Sequence, residues 1–121
     1  MKTWIIPCNP KNYDVFGAFE KFEILNWKQS SNIEIGDIVY IYTAKPYSEI
    51  THMCEVLEVN LPKTYIKDDD FIIDGKPFLN NGRYITLKLI RKVRYFGLPE
   101  LKSKGIKGSI QGPRKIDFDI Q

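Results

Sequence analysis

Ten of the chain's 18 Lys and Arg residues fall between positions 83 and 115, where Glu100 is the single acid. They are Arg83, Lys88, Arg91, Lys92, Arg94, Lys102, Lys104, Lys107, Arg114 and Lys115, and they give this stretch a net charge of +9. Residues 1–60 carry a net charge of −3. So uneven a distribution makes a one-sided field, and a polyanion is the partner it fits. Each phosphate neutralised by Lys or Arg releases counterions and adds salt-dependent affinity. The alternative is an ordinary solvated face. An anionic membrane fits less well, because no stretch sets a wide apolar face opposite a basic one.

Other reactive groups are sparse. A structural zinc site needs four ligands at short spacing, such as Cys-x2-Cys. This chain has one histidine, His52, and two scattered cysteines, Cys8 and Cys54. A triad or Cys-His hydrolase would rest on His52 alone. There is no glycine-rich phosphate loop. The expectation is therefore a binding domain and not an enzyme, with no metal and no cofactor. The N-terminal MKTWIIPCNP lacks a long apolar core, no apolar run reaches membrane-spanning length, and the cysteines read as reduced thiols. These features point to a cytoplasmic protein. The chain has 121 residues, 43% of them apolar and 27% charged, which suits one globular domain over 1–121.

The elements that would position these groups follow from pattern. Thr3–Ile6 reads as a strand, and Pro7-Cys8-Asn9-Pro10 as an irregular turn. Tyr13, Phe16, Phe19 and Phe22 recur at helical spacing within Asn12–Phe22, with Asn12 or Asp14 as cap. Ile24–Trp27 is short and extended, followed by polar residues 28–32. Ile38–Thr43 is a strand with Ile38, Tyr40 and Tyr42 on one face and Val39, Ile41 and Thr43 on the other. Ile50–Val59 is its antiparallel partner. Asn60–Asn81 is a polar excursion with one small strand at Phe71–Ile73. Arg83–Phe96 is a long strand with Ile85, Leu87 and Leu89 on one face and Thr86, Lys88 and Ile90 on the other, its basic end leaving the core. A short helix starts at Leu98-Pro99 and ends at Gly105. Lys107–Gln111 and Arg114–Phe118 supply one or two closing strands around the Gly112-Pro113 turn. The class is α+β, and strands of this number tend to close into a small mixed barrel flanked by short helices.

Four ordered segments, W-I-I-P-C-N-P-K-N-Y-D (Trp4–Asp14), N-W-K-Q-S (Asn26–Ser30), G-D-I-V-Y-I-Y (Gly36–Tyr42) and P-Y-S-E-I (Pro46–Ile50), resemble the EVE domain family. The late L-P-E-L-K and G-S-I-Q-G-P are similar to the end of that domain. The resemblance covers nearly the whole chain and implies a PUA-like fold, shared with ASCH and YTH-type readers. It implies binding of nucleic acid that carries a modified base, flipped into an aromatic pocket. The branch most resembled stands in front of HNH-type modification-dependent restriction endonucleases and reads 5-methylcytosine or 5-hydroxymethylcytosine in DNA. A lone His52 cannot supply an HNH centre, so the chain would be a free-standing reader or the specificity module of a separate nuclease. The alternatives are a PUA-like reader of modified RNA and, from a different class, an ASCH-type hydrolase of small nucleotides or amides using Glu49 or Asp14 as base.

A flipped-base reader needs an aromatic plate, polar groups for the base edge and cations for the flanking phosphates. Trp27, beside a polar loop, is the candidate plate, with the core as its alternative. Tyr42, at a strand exit, is a second wall or an ordinary sheet aromatic, and Trp4 belongs to the core. Candidate base contacts are Gln29, Ser30, Asn9, the backbone near Cys8, Ser48, Gln111 and Asp14, the last of which also suits helix capping. Phosphate candidates are Lys102, Lys104, Lys107, Arg114 and Lys115, then Lys45 and Arg94, with backbone donors in the Gly105–Gly108 turn.

Overall fold

The structure is a computed structural model that describes residues 1–29, 31–73, 83–108 and 110–120. Its strands are β1 (Thr3–Cys8), β2 (Ile24–Gln29), β3 (Ile38–Thr43), β4 (Glu49–Leu61), β5 (Arg83–Lys92) and β6 (Arg114–Ile116). Helices α1 (Val15–Lys21) and α2 (Leu98–Ser103) and one 3-10 turn (Asp69–Phe71) complete it. The six strands form one mixed sheet in the order β2-β5-β4-β3-β1-β6, with β1 parallel to β3 and every other pair antiparallel. The sheet curls into a half-barrel rather than closing, and β2 and β6 stay at its two edges among the described residues. Among those residues no helix is long and apolar enough to cross a membrane.

Side-chain alternation splits the core in two. Trp4, Ile6 and Cys8 of β1 join Val39 and Ile41 of β3, Ile85 and Leu87 of β5 and the α1 residues Val15, Ala18 and Phe19 on one face. Ile5, Tyr40, Tyr42 and Ile50 pack on the other face against Val93, Phe96, Leu101, Ile106 and Ile116. The alternation expected for β3 and β5 holds, and each face buries an apolar layer that stabilises the sheet from its own side.

Three local features differ from expectation for physical reasons. Pro7 and Cys8 belong to β1 instead of a turn, Pro7 lying opposite Tyr42. Lys2 and Cys8 present their carbonyls to Ile38 N and Ala44 N at 2.9 Å each. The odd-numbered Pro7 therefore points its missing donor away from β3, toward the side where β6 pairs only with Thr3–Ile5. Next, β4 is bulged where Ile41↔His52 gives way to Tyr42↔Ile50, which leaves Thr51 as the extra residue. Last, of the one or two late strands expected, only β6 is present among the described residues, at the sheet edge, and Lys107–Gln111 forms none there.

Asp37 sets the parallel register. It precedes β3, is 2% exposed, and accepts from Lys2 N (2.9 Å), Glu34 N (2.9 Å) and the Trp4 indole (3.0 Å). Burial alone would raise its pKa, but the two backbone donors, the indole and the Lys2 charge bring it below the ordinary carboxyl value. The 62–73 excursion is tied down rather than loose. Asn26 Oδ1 accepts from Tyr65 N (2.7 Å) and Ile66 N (2.8 Å), while its Nδ2 donates to Thr86 Oγ1 (3.0 Å). Thr86 in turn donates to Glu58 (2.8 Å), which also accepts from the Tyr65 hydroxyl.

Candidate nucleic-acid interface

Trp27 stands on edge strand β2, opposite Ile85 of β5, so the indole projects toward the α1 side of the sheet. It is half-buried, packed on the core at its base and met edge-on by Tyr13, whose ring centre lies 5.6 Å away at 82°. Tyr13 is fixed from behind, since its hydroxyl donates to Asp68 at 2.6 Å. Burial, then the hydrogen bond and charge of Asp68, push the Tyr13 phenol well above its ordinary pKa, so it remains a donor at any physiological pH. The indole is thus neither sealed in nor free-standing. It forms one wall of an aromatic corner between the β1–α1 connection and the excursion.

The same connection carries several candidate base contacts. Asn9 is exposed, its carbonyl accepting from Asn12 N and Tyr13 N and its side chain from Lys11 N. Cys8 is buried, with its thiol 3.9 Å from the Tyr13 carbonyl. Burial, and secondarily the Asp14 charge, push that thiol up to about 12. It is therefore not a nucleophile. Asp14 caps α1, accepting from Gly17 N at 3.0 Å, which commits one carboxylate oxygen. The structure brings Cys8, Asn9, Asp14 and Trp27 together through Tyr13.

Other candidates lie elsewhere. Tyr42 is 4% exposed and packs in the second core, because β3 is flanked on both sides and covered by the α2 layer. Its ring is a sheet aromatic and not a site wall. Gln29 is 6% exposed and already committed, accepting from Asn60 N (2.8 Å) and donating to the Ser31 carbonyl (3.3 Å). Ser30 lies outside the described residues. Ser48 is half-buried in left-handed backbone (φ 51°), and its carbonyl lies against Gly97. Gln111 is exposed in the turn before β6.

The cations form a second group. Leu101, Ile106 and Ile116 root α2, its following turn and β6 in the second core, and the five cations carried by these elements, Lys102, Lys104, Lys107, Arg114 and Lys115, are all exposed. Gly97 N donates to Glu100 Oε1 at 2.6 Å, which ties up the one acid of the stretch as a helix cap. Among the described residues none of these five cations, nor Lys45 or Arg94, makes an ion pair. Lys102, Lys104 and Lys107 sit with the face opposite Trp27, so the indole and the main cation group are held on different layers. Lys115, opposite Trp4 in the β1–β6 ladder, shares the Trp27 side of the sheet but lies at its other edge.

Sequence reasoning passed over one polar cluster. His52 is fully buried between Phe16 and Phe19, at ring distances of 5.0 and 5.1 Å. Its Nδ1 meets Thr51 Oγ1 at 2.7 Å, Thr51 meets Thr43 Oγ1 at 2.6 Å, and Nε2 has no partner. Burial, then the Lys92 charge, lower its pKa to about 4, with Glu20 opposing. An imidazole held neutral in this way is a structural element of the α1 layer.

The same architecture, a half-barrel with one helix layer on each side, is found in solved ASCH and DUF55 domains. The ASCH protein of Zymomonas mobilis superposes with a TM-score of 0.63 at 11% identity, over 96% of this chain and 88% of that one. Human thymocyte nuclear protein 1, solved in complex with DNA containing 5-methylcytosine, superposes with a TM-score of 0.57 at 12% identity, over 85% of this chain and 74% of that one. A Pseudomonas putida protein gives 0.61 at 11% identity, over 95% and 91%. At such identities the likeness is one of fold. No protein-family model matches the sequence, and no curated protein matches it.

Proposed function

We propose that the protein is an EVE-type binding module, not an enzyme, that reads a modified base in DNA, with 5-methylcytosine or 5-hydroxymethylcytosine as its target. The observation that carries this reading is the fold it shares with human thymocyte nuclear protein 1, whose structure holds 5-methylcytosine-containing DNA. The exposed cations without ion pairs add to it, since they offer sequence-independent phosphate affinity. In this reading the flipped base enters the Trp27–Tyr13 corner. Its exocyclic amino group meets an acceptor from the β1–α1 connection, and Asp14 retains an oxygen beyond its capping bond. A partner or fused nuclease would supply any cleavage.

The test is a titration of labelled duplexes with and without the modified cytosine, and of the matched RNA, at two salt concentrations. Preference for modified DNA supports the reading. Equal affinity for every polymer leaves a generic polyanion binder, and preference for RNA turns the module into an RNA reader. Lys102→Gln, Lys104→Gln or Lys107→Gln is expected to weaken modified and unmodified duplexes alike, and to lower the slope of log affinity against log salt by about 1 for each phosphate left without its cation.

The likeness to ASCH proteins favours a second reading, a hydrolase of small nucleotides or amides. With Asp14 engaged as a helix cap, Glu49, half-buried at the start of β4, is the carboxylate left for a general base. Turnover of nucleosides abolished by Glu49→Gln would establish it.

A further inference from the structure

Two non-glycine residues near one another hold left-handed backbone, Ser48 at φ 51° and Tyr95 at φ 61°. Both lie within two residues of a single bridge, Glu49↔Gly97, which is reinforced by Ile50 N donating to Phe96 O at 2.8 Å. The two chains approach closely there, since a Cβ at position 97 would meet the Ser48 carbonyl at 3.2 Å. The loops 44–48 and 93–97 are thereby locked side by side at one end of the sheet. Each carries an exposed tyrosine beside a cation: Tyr47 (46% exposed) with Lys45, and Tyr95 (86% exposed) with Arg94. Tyr47 is braced from below by Phe16, ring centres 4.9 Å apart. Neither cation has an ion-pair partner among the described residues.

A large aromatic almost wholly in water gains nothing from burial, and left-handed backbone costs a bulky residue where Asn or Gly would be at ease. Folding alone gives no reason for tyrosine at position 95. Stacking does: every base offers a π-face, and exposed aromatics interleaved with free cations suit an unpaired strand, while the bases of a duplex keep their faces to themselves. We propose that Lys45, Tyr47, Arg94 and Tyr95 form a stacking platform for unpaired nucleotides, distinct from the Trp27 corner. The platform rests on the reading of the protein as a nucleic-acid binder and is independent of which base, if any, is modified. Its occupant is the single strand next to a melted or flipped site.

The experiment compares a blunt duplex, the same duplex with a six-nucleotide overhang, and a free 12-nucleotide strand, each with and without 5-methylcytosine, by fluorescence anisotropy. The wild type is expected to gain about tenfold from the overhang. Tyr95→Ala loses that gain, and Tyr95→Phe keeps it because the hydroxyl plays no part. Tyr95→Asn, a residue suited to left-handed backbone, also loses the gain while its Tm is equal to or above that of the wild type, which separates stacking from folding. Tyr47→Ala and Arg94→Gln each lose part of it. An overhang gain that survives Tyr95→Ala, an absent gain in the wild type, or a self-associated wild type that Tyr95→Ala converts to monomer overturns the platform. A Tyr95-dependent gain with no preference for the modified cytosine leaves the platform standing and removes the modified-base reading. The reverse result removes the platform alone.

Discussion

Asp37→Ala is expected to cost about 3–5 kcal/mol of folding stability, a large share of what a domain of this size has. Three donors converge on this buried carboxylate, and two of them, Lys2 N and the Trp4 indole, come from the first strand and the residue before it. Removing it takes the acceptor from the indole N–H of a tryptophan that is 8% exposed and belongs to the first core. It also unties the start of β1 from the start of β3, a parallel pair with no hairpin to hold its register. Asp37→Asn keeps the shape but turns one acceptor into a donor facing a donor, so about half the loss is expected. Because the folded-state pKa of Asp37 is lowered, its contribution is present above the ordinary carboxyl pKa and disappears as pH falls through the lowered value. Urea unfolding of both variants at pH 7 measures this, and a loss below about 1 kcal/mol for Asp37→Ala contradicts it.

His52 gives the second large effect, read against pH. Its folded-state pKa is about 4 against an ordinary 6.5. An imidazole that is neutral in the fold and charged when unfolded adds stability above 6.5 that is lost progressively as pH falls toward 4. A shift of this size corresponds to at most about 3 kcal/mol. The charged groups that bear on the ring are Lys92 of β5 and Glu20 of α1, joined to each other at 2.5 Å, and its hydrogen-bond partner is the uncharged Thr51, which in turn meets Thr43. The chain has no other histidine, so between pH 6.5 and about 5, above the carboxylate range, the slope belongs to His52. His52→Asn is expected to be less stable at pH 7, because the smaller amide no longer fills the space between Phe16 and Phe19, yet nearly flat across that window. Unfolding free energies at pH 7.0, 6.0 and 5.0 decide the matter, and parallel slopes in the two proteins exclude the buried neutral ring as the cause.

The legible parts of this fold are those governed by short-range pattern. IVYIYT alternates over six residues, and its two faces enter the two cores as expected. Asp14 caps α1, and Pro99 opens α2 before Gly105 turns the chain at φ 93°. Long-range pairing is less legible. Pro7 reads as a strand breaker until β6 is seen to stop at Ile5, which frees the side on which proline lacks its donor. Tyr42 reads as a strand-exit aromatic until the α2 layer covers it. Trp27 and the basic stretch belong together only in the sense that a reader needs both. The strand order places β2 and β6 at opposite edges, and no local pattern encodes that distance. The sequence leaves His52 as either a surface or a core residue, and its chain of hydrogen bonds runs through Thr51 at the β4 bulge, which neither composition nor spacing announces.

The modified-base reading stands or falls with the indole at position 27. Wild type, Trp27→Phe and Trp27→Ala are to be titrated against one duplex with and without 5-methylcytosine at a single salt concentration, and the ratio of the two dissociation constants compared. A wild-type ratio of about 5 or more, retained in part by phenylalanine and reduced to about 1 by alanine, is the predicted result. A ratio near 1 in the wild type, or one that Trp27→Ala leaves unchanged in a protein that still folds, contradicts the account.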